Sequence, residues 1–295
     1  MEIRWLEGFI AVAEELHFSN AAIRLGMAQS PLSQLIRKLE AELGQKLFDR
    51  STRSVELTAA GKAFLPHARE IVASTAVARE AVNAAEGEIV GVVRVGFSGV
   101  LNYSTLPLLT SEVRKRLPNV ELELVGQKLT KEAVSLLRLG ALDITLMGLP
   151  IEDPEIETQL ISVEGFCVVL PKNHRLAGED VVDLADLSDE GFVTTPEFPG
   201  SVFRNSTFQL CAEAGFVPRI SQQVNDPYMA LLLVEVGVGV AVTTQSTGKL
   251  APANTVTLPI KQCSVELRHG VAWMQGAGRV ARDAVIDIAL EIFNP

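Results

Sequence analysis

The chain has only three cysteines and four histidines in 295 residues, and neither kind is clustered. Cys167, Cys211 and Cys263 are far apart and odd in number, which argues against a disulfide framework and against a Cys/His zinc cluster. They are expected to be buried, inert thiols that behave as small hydrophobes. The histidines form no HExxH and no short spacing with cysteine, so neither a metal site nor a cofactor is expected. No apolar run reaches the roughly 18 residues of a membrane span. The start of the chain, with Glu2 and Arg4 before a short apolar stretch, lacks the build of a signal peptide. The expected location is the cytoplasm. Walker A, GxSxG and Rossmann fingerprints are missing too; the glycines of "GVGV" (Gly237–Val240) lie inside an apolar stretch rather than at a phosphate turn. No internal repeat or low-complexity tract is present.

What is there is a globular composition, 47% hydrophobic and 21% charged, on a chain long enough for two or three cores. The net charge of −10 speaks against nucleic acid, but it is unevenly spread. Residues 1–58 carry a net of −1 and residues 59–295 the remaining −9. Within 24–53, Arg24, Arg37, Lys38, Lys46, Arg50 and Arg53 outnumber Glu40, Glu42 and Asp49, a local cationic patch on an acidic protein.

Three regimes follow one another. Up to about residue 58 the apolar spacing is helical: Leu6, Phe9, Ile10 and Ala13, then Ala21, Ala22 and Leu25, then Leu32, Leu35, Ile36 and Leu39. Ser19 is the expected N-cap of the second helix and Gly26 its end; Ser30 and Pro31 are expected to open the third, with proline at the first helical position. Residues 59–88 predict one long helix. Its positions Phe64, Ala68, Ile71, Thr75, Ala78, Val82 and Ala85 follow a heptad, as in a helix pairing with its own copy, and Pro66 is expected to kink it. A lone surface helix packed on its own domain would also fit. From residue 89 strands and helices alternate ("IVGVVRVGF", "LNYSTLPLLTSEVRKRL", "VELELV", "TKEAVSLLRLG", "DITLM"), which predicts a parallel sheet, and a second set follows from "GFCVVLP" to the terminal helix "RVARDAVIDIALEIF".

Three short helices with a tight turn between the last two can place the third in the major groove of DNA. On that helix Gln29, Ser33, Gln34 and Arg37 share a face away from the leucines. Glutamine can bond adenine through two contacts, and serine can reach bases or phosphates. "FDRSTRSVELT" reads as a two-stranded wing whose Arg50 and Arg53 would grip phosphate. A merely solvated helical face would show the same polarity.

The stretch "FSNAAIRLGMAQSPLSQLIRKLEAELGQKLFDRSTRSVELTAAG" closely resembles the N-terminal signature of LysR-type transcriptional regulators, with "LEAELGQKLFDR" and "LTAAG" its most specific parts. The resemblance covers the whole chain. It implies an α/β protein with an N-terminal all-α winged helix-turn-helix (1–58), a linker and dimerisation helix (59–88) and a two-lobed, periplasmic-binding-protein-like effector domain (89–295). Lobe I would take 89–161 and 268–295, and lobe II 162–267. The implied DNA-binding set is Ser19, Asn20, Gln29, Ser30, Ser33, Gln34, Arg37, Arg50 and Arg53. The implied partners are double-stranded DNA with an interrupted palindromic operator, a small-molecule effector, a second or further copies of the chain (dimer or tetramer) and RNA polymerase, but no membrane. Ala28 stands where serine is common, Ser30 where the first proline is usual, and Gln34 where arginine is frequent.

The effector would sit between the lobes, at the carboxyl ends of strands and the N-termini of helices. Expected there are Ser98, Gly99, Val100, Asn102 and Tyr103 after the first strand, Thr130 as an N-cap after the second, and Phe198, Ser201 and Phe203 of "PEFPGSVF". This half is most similar to the branch sensing aromatic-degradation intermediates. In its diacid-binding members an arginine stands where this chain has Gly148, and a serine where it has Val100. A neutral or monoanionic, partly apolar ligand is therefore expected. Peroxide-sensing members carry a cysteine at the place of Val202 as well as at that of Cys211, so disulfide sensing is not expected. The readings from other classes are an α/β enzyme and a solute-binding protein with an appended helical domain.

Overall fold

The computed structural model describes residues 1–50, 55–97, 102–126, 130–197, 201–276 and 279–293. They form two compact units, one of residues 1–89 with 138–141 and one of 90–137 with 142–295.

The first unit starts with α1 (Ile3–Glu15), α2 (Phe18–Arg24) and α3 (Gln29–Leu43). Leu6, Phe9 and Val12 of α1, Phe18 and Ala22 of α2, and Leu32, Ile36 and Leu39 of α3 meet in one core. Ser19 does not cap α2. The helix begins two residues earlier, with Phe18 turned inward, and its cap is His17, whose Nδ1 accepts from the backbone N–H groups of Ser19 and Asn20 at 3.2 and 3.4 Å. Pro31 is the third residue of α3 rather than the first, still within the turn whose N–H groups have no intrahelical partner. Gly44, at φ +68°, ends α3 in the left-handed conformation.

Next come β1 (Phe48–Arg50) and β2 (Val55–Leu57), an antiparallel pair that forms the expected wing. Glu40 fastens it to α3. Its Oε1 accepts from the backbone of Leu47 at 2.9 Å and Phe48 at 3.3 Å, and its Oε2 from Arg50 at 2.9 Å. Then α4 (Ala59–Ala85) runs on, with Pro66 inside it. Gly61 is required there, since a β-carbon would come within 2.2 Å of the Leu47 carbonyl oxygen. The expected heptad seam of α4 is divided. Phe64, Ala68 and Ile71 pack into the core of the helical head, with the Phe64 ring 5.3 Å from that of Phe9. Ala78, Val82 and Ala85 are exposed. Arg69 of α4 and Arg24 of α2 both donate to Glu14 of α1, at 2.6 and 2.7 Å.

The second unit runs β3 (Gly91–Phe97), α5 (Asn102–Arg116), β4 (Val120–Val125), α6 (Thr130–Arg138), β5 (Ile144–Leu149), β6 (Ile156–Glu164) and β7 (Phe166–Pro171). It continues through β8 (Gly191–Thr194), α7 (Val202–Glu213), β9 (Arg219–Gln223), α8 (Pro227–Glu235), β10 (Ala241–Thr244) and α9 (Gln245–Gly248). It closes with β11 (Thr255–Pro259), β12 (Leu267–Met274) and α10 (Val280–Ile292). Lobe I is a five-stranded sheet in the order β4-β3-β5-β12-β6. Its first three strands are parallel, as the alternation predicts, and β12 lies antiparallel between β5 and β6. Lobe II holds β10-β7-β11 and the parallel pair β8-β9, linked by a bridge between Phe192 and Val240. β6 leads out of lobe I and β12 leads back.

Buried Val93, Val95, Leu109, Val113, Ile144, Leu146, Val271 and Val285 fill lobe I. Asp143 closes one end, accepting from the Arg94 backbone at 2.7 Å and pairing with Arg279. Phe166, Val168, Leu170, Phe192 and Leu210 centre lobe II. Burial pushes the Cys167 thiol up to about 12 and that of Cys211 to about 11, as expected of inert thiols, whereas Cys263, in the loop before β12, is only half-buried, against expectation.

Candidate nucleic-acid interface and effector site

Helical periodicity places Gln29, Ser30, Ser33, Gln34 and Arg37 along one side of α3, opposite Leu32, Ile36 and Leu39. All but Ser33, which is half-buried, are exposed. Ser19 donates to the Gln29 side-chain oxygen at 3.0 Å, tying the start of α3 to α2, and Asn20 is exposed beside it. That bond leaves the Gln29 amide nitrogen free to donate outward. Among the described residues Arg37 pairs with no carboxylate. Arg50 is already engaged: besides Glu40, its guanidinium lies 4.8 Å over the Phe18 ring. Arg53 lies outside the described residues. Glu40, which the sequence offers as one more helical acid, is what aims the wing.

In the second unit the structure brings only part of the expected set together. Ser98, Gly99, Val100 and Phe198 lie outside the described residues, and Asn102 and Tyr103 open α5 with side chains also outside them. Thr130 is half-buried and is the first residue of α6 rather than its cap. Ser201 does cap α7, accepting from the Arg204 backbone at 3.4 Å. Phe203 turns into lobe II, stacked on Phe166 with ring centroids 5.9 Å apart, so it serves that core. Gly148 faces the start of α7, where a β-carbon on it would lie 3.3 Å from that of Val202. Helix α7 thereby lies across β5 and β12, lobe II against lobe I.

Three neutral groups at this junction escaped the sequence reading. His269 of β12 is fully buried, and Thr194 and Thr195 at the end of β8 have buried hydroxyl oxygens with no hydrogen-bond partner. Arg204 bonds the Thr195 carbonyl and stacks 4.3 Å over Phe208. No signal marked these residues, because each sits in a stretch that reads as ordinary strand or helix.

Two family patterns match the chain: the bacterial regulatory helix-turn-helix protein of the lysR family over residues 3–62, and the LysR substrate binding domain over residues 86–293. The chain belongs to the LysR family of transcriptional regulators. It is 89% identical to the HTH-type transcriptional regulator ShiR of Corynebacterium glutamicum (strain R), over all of both chains. To the HTH-type transcriptional regulator AlsR of Bacillus subtilis (strain 168) it is 38% identical, covering 85% of this chain and 82% of that one. Among solved structures, full-length CbnR in complex with its target DNA superposes with a TM-score of 0.74 at 27% identity, over 100% of this chain and 99% of that one. This LysR regulator thus joins a DNA-binding helix-turn-helix head to an effector-binding domain, and its relatives are regulators rather than enzymes. Among the described residues no helix is long and apolar enough to cross a membrane, and no group of three or more His, Cys, Asp or Glu could hold a metal.

Proposed function

We propose that this regulator reads an interrupted palindromic operator as a dimer or tetramer and is switched by a monoanionic or neutral, partly apolar small molecule held between its lobes. Residues 1–58 are the reading head, 59–88 the helix that joins two copies, and 89–295 the sensor, working in the cytoplasm where DNA and RNA polymerase are. Gln29 and Ser33 carry sequence choice; Arg37, Arg50 and Arg53 carry affinity through phosphate.

One observation supports the ligand class above the others. Val202 stands over Gly148, so the position from which relatives offer an arginine has no room even for a methyl group without movement. A second carboxylate would then enter without a fixed cation, and unpaired burial of a charge costs several kcal/mol, roughly. A single carboxylate can still be met by the N–H groups at the start of α6, where Thr130 stands. The test is calorimetry of the full chain with benzoate and with cis,cis-muconate. Benzoate-type monoanions are expected to bind, with the Thr130 hydroxyl donating beside those N–H groups, and therefore to lose affinity in Thr130→Val, which removes the hydroxyl alone. Tight muconate binding, undisturbed by that substitution, overturns the reading.

A further inference from the structure

His269 is 1% exposed, and neither ring nitrogen has a hydrogen-bond partner. Its register neighbours are Gly148 on β5 and Ser162 on β6. The Ser162 hydroxyl oxygen is likewise shut away from solvent and unpartnered. Residues directly opposite on antiparallel strands project to the same face, so Gly148, His269 and Ser162 form one row across the sheet. The contact of Val202 with the β-carbon position of Gly148 shows which way that row faces: toward α7 and lobe II. The row also lies where the chain passes between lobes, since β6 and β12 are the two crossing strands, and the pairing slips by a bulge immediately after His269.

Buried polar groups in folded proteins are nearly always satisfied, and two adjacent ones that are not call for a partner. Its chemistry is set by theirs. Burial holds the His269 ring well below its ordinary value, at about 4; the Leu146 backbone lies near enough to oppose this but does not reach either ring nitrogen with hydrogen-bond geometry. The neutral ring offers one donor and one acceptor, and serine offers both. A carboxylate or an ammonium would leave half of that set unmet, whereas an alcohol or phenol group both gives and takes a proton.

We propose that His269 and Ser162 form a hydroxyl-reading subsite on the lobe I wall of the effector site, so that the effector carries a hydroxyl group that donates to one of them and accepts from the other. This rests on the interlobe reading given above, and adds to it the group by which the ligand is told from its deoxy analogue.

The experiment is calorimetry of the full-length protein with benzoate and with 2-, 3- and 4-hydroxybenzoate, repeated in Ser162→Ala and His269→Phe. Circular dichroism and a cooperative thermal melt without ligand report that each variant is folded. One hydroxy isomer is expected to bind at least about tenfold tighter than benzoate, because a site built around a hydroxyl rejects the analogue lacking it. In both variants that ratio is expected to fall toward one while benzoate affinity stays within about threefold. Ser162→Ala decides alone if the histidine variant does not fold. Nitrogen NMR of the histidine rings is expected to show the His269 signals shifting with the favoured isomer and not with benzoate. Benzoate binding with no preference among isomers, or a preference untouched by Ser162→Ala, overturns the subsite and leaves the interlobe reading standing. His269 signals indifferent to every acid mean that trapped water satisfies the ring, and also overturn it. Failure of all four acids to bind at millimolar concentration overturns both.

Discussion

Gly148 of β5 and Val202 of α7 fit against each other so closely that a β-carbon on the first would lie 3.3 Å from the β-carbon of the second. The lobes meet through an absent side chain. Gly148→Ala is expected to cost about 1–2 kcal/mol, as small-to-large changes in packed sites do, and Val202→Ala in the same chain is expected to recover most of it. Gly148→Arg is expected to abolish stabilisation by a benzoate-type ligand while operator binding persists. Thermal melts of the four proteins, with and without ligand, check both statements.

The divided seam of α4 separates two roles that the heptad alone merges. Ala78→Glu with Val82→Glu places charges on the exposed part and is expected to give folded monomers with much weaker operator binding. Ile71→Glu lies where α4 packs on the head and is expected to unfold that head. Sedimentation and circular dichroism should separate the two; unchanged assembly in the double variant would remove α4 as the pairing helix.

Arg37 and Arg50 are both exposed cations beside the reading face, yet they should fail differently. Arg37→Ala is expected to leave stability unchanged and to flatten the salt dependence of DNA binding by about one unit. Arg50→Ala also removes the Glu40 pair and the Phe18 ring contact, and is expected to cost about 1 kcal/mol of stability. Gln29→Ala is expected to lose about 1–3 kcal/mol of discrimination at one base pair. Operator variants titrated at three salt concentrations distinguish these outcomes.

His269 makes stability depend on pH in a fixed direction. Its folded value is about 4 against about 6.5 unfolded, so below pH 6.5 the unfolded chain binds a proton that the native state refuses. The native state keeps its full stability above about pH 6.5 and loses up to about 3 kcal/mol as pH falls to 4. His269→Phe is expected to flatten that segment of the curve, measured by urea unfolding at pH 7, 6 and 5.

Elements whose polar and apolar residues alternate at a regular period were the easiest to read in the sequence. α3 shows its Leu32–Ile36–Leu39 spacing plainly, and β3, β4 and β5 stand out as strands between helices. β6 was missed because Glu157, Thr158 and Gln159 lie exposed in succession and the alternation vanishes, and β11 because only Leu258 of its five residues is buried. The same physics divides the sites. The row on α3 could be read because its contrast with the core is local to one helix. Gly148, Ser162 and His269 are up to 121 residues apart and become a site only through the register of three strands. Phe203 was offered as ligand-facing area because nothing in "PEFPGSVF" tells that Phe166 waits beneath it.

Glu14 receives one arginine from α2 and another from α4. A single carboxylate therefore gears three helices of the head together, with the Arg69 guanidinium buried in the joint. Neither α1 nor α2 can swivel on α4 without stripping that carboxylate of a partner, and α3 shares their core, so the head turns with α4 as the blade of a key turns with its shank. If two copies pair through α4, as proposed above, the distance and angle between their blades would be settled by the shanks. On the proposal that α4 joins two copies, a stretch of it some way from any base would set which spacing of DNA half-sites the protein can open.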